Sequence, residues 1–268
     1  VLGRISDALV DDGIRGRYRA YVGARLAARK RDLGWKRGTG KDTAAEDRRS
    51  ILRAQVLAAL GNLADDDATL RESSPIAAAW LKDPKNVDPD TGPVALSLAS
   101  RRAKPERFEE LRAVVKNAKT PDERVAALKA MGSFGDPALL TRAFDFGLTD
   151  DVRAQDLRYL VISALQYPAS RRVVFDWMKK NWDGATKKAS GSLGGVFLRV
   201  IDTACTREDL EEAREFFTPR VAQIYGSGRE LAEKLESASM CVELRKTAGP
   251  SLSSALGRHA GSAQLGKK

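Results

Sequence analysis

Apolar residues in this chain recur at helical spacing, and most recurrences carry their own start and stop signals. From Asp42 to Leu63, the residues Leu52, Val56, Ala59, Leu60 and Leu63 follow the i, i+4, i+7, i+8 pattern that lines one face of a helix. Thr43 with Glu46 three residues on has the form of a capping box, which satisfies backbone N–H groups that every helix start leaves without partners. Thr120-Pro121-Asp122-Glu123 repeats the grammar: a hydroxyl cap, a proline at the first helical position and an acidic first turn precede Val125, Leu128 and Met131, with Gly132 as the stop. Asp136-Pro137 opens the next helix, carrying Leu139, Leu140 and Ala143. A run with Val152, Leu157, Leu160, Val161 and Leu165 is expected to end at Pro168, and Ser170 to cap a helix presenting Val173, Val174, Trp177 and Met178. Thr206 caps another with Leu210, Ala213, Phe216 and Phe217, and a last one runs near Leu231, Leu235, Ala238 and Val242.

Nowhere do several residues alternate strictly between apolar and polar, and β-branched residues rarely cluster, so strands have no foothold. The chain reads as all-α. About a dozen helices joined by short turns describe an irregular HEAT/armadillo-like α-solenoid of antiparallel helix pairs. Lys82 to Asp90, with two prolines, and Asp183 to Gly191, small and polar, read as loops. Neither is long enough to serve as a domain linker, so residues 1–250 are expected to form a single helical-repeat domain and 251–268 a flexible C-terminal tail.

Composition narrows the chemistry. No stretch approaches the roughly 18–20 apolar residues of a membrane span. Val1 is not an initiator methionine and no secretory signal follows it, which leaves the compartment open between cytoplasm and periplasm. Cys205 and Cys241 lie far apart and outside any Cys-x-x-Cys pair, and are expected as two buried, reduced thiols. The one histidine, His259, sits in a Gly-rich tail, whereas a zinc site or a catalytic triad needs several converging groups. By itself this chain is expected to be inactive, with no cofactor.

Lys+Arg outnumber Asp+Glu by 46 to 36, and Arg15, Arg17, Arg19, Arg25, Arg29, Lys30, Arg31, Lys36, Arg37 and Lys41 crowd one region. Such a region can attract phosphates. Acidic residues intersperse the rest, and an aromatic content of 6% leaves few platforms for base stacking, so a solvated or domain-contacting face is expected and no nucleic acid.

Several segments in fixed order carry a resemblance: Arg31-Asp32-Leu33-Gly34-Trp35, Leu52-Arg53-Ala54-Gln55-Val56-Leu57, Met131 to Leu140, Val152-Arg153-Ala154-Gln155-Asp156, Trp177 to Trp182, and Glu211 to Phe217. Together, over nearly the whole chain, they resemble the C-terminal helical domain of zinc aminopeptidases of the puromycin-sensitive and endoplasmic-reticulum type. The family often places an arginine after a glycine pair in this region; here Gly194-Gly195 and Arg199 stand at a spacing that does not align.

The resemblance implies a noncatalytic domain that caps a peptide-binding chamber and contributes to substrate access. The zinc-binding His-Glu-x-x-His and amine-binding Gly-x-Met-Glu-Asn segments do not occur in this sequence. Zinc is therefore expected in a catalytic domain N-terminal to this one in the same polypeptide, which with the peptide substrate would be its partner. The substrate-path candidates are Arg153, Gln155, Phe197 and Arg199, with Arg153 a donor to a peptide carboxylate. Against this stand a solenoid ladder in which Asp156 ties helix ends, and core packing for Trp177, Trp182 and Phe197. A free-standing helical-repeat scaffold for protein binding and a basic nucleic-acid-binding repeat are the rival functions.

Overall fold

The computed structural model describes residues 1–37 and 43–265, and these are all-α: no strand occurs among them. They form two compact units, Val1–Ala99 with Thr247–Lys268, and Ser100–Lys246.

The first unit begins with α1 (Leu2–Leu9) and α2 (Asp12–Leu33). Asp11 caps α2 by accepting from the Ile14 N–H at 3.1 Å. Gly34 ends it with φ +61°, a left-handed backbone that glycine adopts without steric cost, its N–H returning to the Lys30 carbonyl at 2.8 Å. Val10, Ile14, Tyr18, Val22 and Leu256 form a core on one side of α2. Burial there, with Asp7 nearby, pushes the Tyr18 phenol up to about 12, and its hydroxyl donates to the Leu2 carbonyl at 2.6 Å.

α3 (Thr43–Ala59) continues into one π-helical turn, Leu60–Ala64. The side chain of its expected cap, Thr43, lies outside the described residues, as does Lys41. Val56 and Leu60 face the core as their spacing requires, but Leu52 is 43% exposed and its neighbour Arg53 is 1% exposed. A buried guanidinium is tolerated only when its donors find partners. Here Arg53 donates to the Leu33 carbonyl at 3.0 Å, Ser50 Oγ at 2.9 Å and Glu46 Oε1 at 2.8 Å. Glu46 thus serves a buried ion pair. α4 (Asp67–Lys82), a 3₁₀ turn Pro84–Asn86 in the expected Lys82–Asp90 connection, and α5 (Thr91–Ser100) follow.

Much of the basic region is paired within this unit. Arg15 meets Asp12, Arg19 meets Asp65, and Lys30 meets Asp66 and Glu72. Arg25 lies over the Tyr21 ring.

The second unit contains α6 (Glu106–Asn117), α7 (Pro121–Gly132), α8 (Pro137–Gly147), α9 (Leu157–Leu165), α10 (Pro168–Lys188) and α11 (Arg207–Phe217). It also takes in α12 (Gly228–Leu265) as far as Lys246; the remainder of α12, including residues 251–265, belongs to the first unit. Thr120, Asp136 and Thr206 are the caps their sequences announce, accepting from Glu123 N at 3.2 Å, Ala138 N at 2.8 Å and Asp209 N at 3.1 Å. α7 packs against both α6 and α9. α9 passes close to Gly132, where a Cβ would lie 2.5 Å from the Leu160 carbonyl oxygen.

Three expectations need correction. Pro168 starts α10 instead of ending the previous helix, because its fixed φ and missing N–H suit the first helical position; Ser170 lies buried inside. The stretch read as a loop from Asp183 remains helical through Lys188, past a kink at Asn181 whose side chain donates to the Trp177 carbonyl at 2.9 Å. And Cys205 and Cys241 are not reduced thiols. They form a disulfide, since a 36-residue path through α11 and into α12 brings their Cα atoms to 5.1 Å.

Candidate functional site

α9 is preceded by a 3₁₀ turn, Ala154–Asp156, and α10 is followed by a 13-residue 3₁₀ segment, Gly191–Thr203. Both line a cleft of about 500 Å³ in the second unit, together with the first turn of α12. Its walls are Ala154, Gln155, Arg158, Tyr159 and Ile162 on one side, Leu193, Gly195, Val196 and Arg199 on another, and Glu230.

The spacings show why these residues meet. Gln155, Arg158, Tyr159 and Ile162 stand at i, i+3, i+4 and i+7, one face of a helical run. Leu193, Val196 and Arg199 repeat every three residues, which superimposes side chains in a 3₁₀ helix. The next face of the same segment, Gly194, Phe197 and Val200, is buried. Phe197 packs 5.9 Å from Trp182, in a cluster that Phe175, Phe216 and Phe217 complete.

The four nominated residues therefore separate. Gln155 and Arg199 share the cleft. Phe197 is fully buried in the aromatic core, one face away from the cleft lining. Arg153 precedes the lining turn, is more than half exposed, and stands 3.9 Å from Asp156. Arg158, Tyr159 and Glu230 are polar cleft residues that sequence reading overlooked. Helical phase from Gln155 would have found the first two, whereas nothing local marks Glu230.

Arg158 donates to the Tyr159 hydroxyl at 2.8 Å and its guanidinium lies 4.8 Å from that ring's centre, with Lys129 at 5.7 Å on the same ring. Arg199 is exposed, and among the described residues it has no ion-pair partner. The cleft thus offers two guanidiniums, an amide, a phenol and a carboxylate over an apolar lining of Leu193, Val196 and Ile162. Such a surface can hold an extended polar chain with an anionic group. Among the described residues that line it, no nucleophile stands beside a base.

Zinc does not fit the donors present. His259 packs edge-on against Tyr21 at 5.2 Å, both cysteine sulfurs are in the disulfide, and among the described residues no three His, Cys, Asp or Glu side chains gather. No described helix is long and apolar enough to cross a membrane.

The model of the ERAP1-like C-terminal domain matches residues 1–239. The chain belongs to this family. Its relatives are aminopeptidases. Over 201 residues it is 26% identical to Aminopeptidase M1-A of Oryza sativa subsp. japonica, covering 72% of this chain and 23% of that protein. Aminopeptidase 2 of Candida albicans is 22% identical over 242 residues, 88% of this chain and 25% of its own length. Aminopeptidase 2, mitochondrial, of Saccharomyces cerevisiae is 24% identical over 148 residues, 54% of this chain and 15% of its own length. The chain matches between 15% and 25% of the length of these relatives. This ERAP1-like domain is all-helical and corresponds to a part of each of these aminopeptidases.

Proposed function

We propose that this ERAP1-like domain forms part of the wall of the peptide-binding chamber of a zinc aminopeptidase, whose metal and catalytic groups lie outside residues 1–268. In this reading the cleft between α9, the 3₁₀ segment and α12 holds a part of the peptide remote from the bond that is cut. The carrying observation is that Gln155 and Arg199, 44 positions apart in sequence, line one cleft with Arg158 between apolar walls. Paired helices stacked as a solenoid would supply such a wall and let it flex between open and closed forms. A guanidinium presents parallel N–H groups to a carboxylate, so Arg158 and Arg199 are suited to a peptide carboxylate. A disulfide between Cys205 and Cys241 favours an oxidising compartment, the periplasm of the two alternatives.

The test uses the full-length enzyme and two substrates, a ten-residue peptide and an aminoacyl chromogenic compound. Replacing Arg199 and Arg158 by alanine should lower the ratio of peptide to chromogenic kcat/KM roughly tenfold, through KM. An unchanged ratio would refute the assignment. Residues 1–268 alone, with added zinc, should not turn over the chromogenic substrate.

A further inference from the structure

Glu230 is the one acid lining a cleft that otherwise presents guanidiniums, and although an acid suits the first turn of a helix, that turn does not require its carboxylate to face the cleft. It lies in the first turn of α12 and follows Ser227 by three residues, the spacing of a capping box. In a capping box the carboxylate would take the Ser227 N–H. That N–H instead donates to the Ile224 carbonyl at 3.2 Å. The Glu230 carboxylate turns toward the cleft: its Oε2 stands 3.0 Å from where a side chain at Gly195 would begin, so Gly195 provides the room it occupies.

The carboxylate is half-buried, and among the described residues no lysine, arginine or histidine pairs with it. The partial positive charge of the α12 N-terminus is shared along the helix start, so the carboxylate keeps its capacity to accept from a full cation. A cleft that served anions alone would gain from an uncharged residue here, because Glu230 weakens the attraction of Arg158 and Arg199 for any negative group. An occupant bearing a cation as well as an anion reverses that balance, since each charge then meets its opposite.

We infer that Glu230 makes the cleft selective for a peptide with a lysine or arginine side chain close to the carboxylate that the arginines hold. Glu230 is a specificity residue that accepts hydrogen bonds from the ammonium or guanidinium, and takes no part in bond cleavage. This rests on the reading of the cleft as a peptide subsite.

The experiment measures kcat/KM of the full-length enzyme on ten-residue peptides identical except for lysine, norleucine or glutamate at the last or next-to-last position. Norleucine keeps the aliphatic length of lysine without its charge. The wild type should prefer lysine to norleucine about fivefold at one of the two positions, and glutamate should be poorest. In Glu230→Gln the lysine-to-norleucine ratio should fall to about one, and in Glu230→Lys the glutamate peptide should overtake the lysine peptide. Thermal melts of each variant verify folding, and because every ratio is taken within one variant, a general loss of activity does not mimic the result. The inference is overturned if the wild type shows no preference for lysine at either position, or if Glu230→Gln retains it. The two readings separate cleanly. Should the arginine variants lower peptide kcat/KM while the lysine preference is missing, Glu230 alone is misassigned; should the arginine variants change nothing, the subsite itself is wrong.

Discussion

Replacing both cysteines by alanine tests the point at which sequence and structure diverge most. The disulfide joins Cys205, just past the 3₁₀ segment, to Cys241 in α12 and closes a loop of sequence separation 36. In the chain-entropy treatment a loop of that size removes about 4 kcal/mol of freedom from the unfolded state, between the roughly 3 kcal/mol of a 15-residue loop and 4.7 of a 100-residue one. Alanine is the better probe, since Cys205 is buried and a serine there would add a hydroxyl to an apolar site. At about 2–4 °C per kcal/mol for a unit of 150–250 residues, Cys205→Ala with Cys241→Ala should melt about 8–16 °C below the wild type by circular dichroism. Dithiothreitol should lower the wild-type Tm toward that of the variant and leave the variant unmoved. Titration of the denatured, unreduced wild type with a thiol reagent should find no free thiol. Two titratable thiols per chain, or a variant melting within about 2 °C of the wild type, would refute the reasoning.

Gly132→Ala places a methyl group against the backbone of α9, and rigid backbone cannot yield as a side-chain tip does, so a loss of about 1–3 kcal/mol in urea unfolding is expected. Arg53→Ala removes the guanidinium that donates to the Leu33 carbonyl, Ser50 and Glu46, leaving Glu46 with Arg49 at 3.7 Å, and should destabilise by about 1–3 kcal/mol, whereas Leu52→Ala, on the exposed side of the same helix, should stay within about 1 kcal/mol. Between α10 and α11, Arg172 and Lys179 bracket Asp176 and Glu212. Burial works against the Asp176 carboxylate, but hydrogen bonds from Arg172 and Lys179 outweigh it; the Lys179 hydrogen bond is the largest influence on Glu212, and both carboxylates sit below their ordinary values. A depressed folded-state value contributes stability that is present above the unfolded value of about 4 and is lost as pH falls below it. Melting curves from pH 6 to pH 3 should therefore fall less steeply for Glu212→Gln than for the wild type, and parallel curves would remove this network from the acid response.

Local rules were legible wherever the chain satisfies its own backbone. Thr120, Asp136 and Thr206 cap because their side chains reach N–H groups two or three residues away, a matter of short-range geometry that no distant contact alters. Helical period likewise declared the class, since no segment alternates as a strand must. Long-range partners decided the rest. Leu52 and Arg53 exchange the sides their polarity suggests because Leu33, from another helix, and Glu46, two turns back, complete the guanidinium's hydrogen bonds. For Phe197 the sequence leaves the substrate path and core packing both open, and a 3₁₀ pitch of three residues per turn places it in the core while Arg199 faces the cleft. Glu230 and the disulfide are tertiary outcomes in the strictest sense. Each exists because α12 returns to the 3₁₀ segment, and the closeness of residues 35 or 36 positions apart is a property of packing that no local pattern encodes.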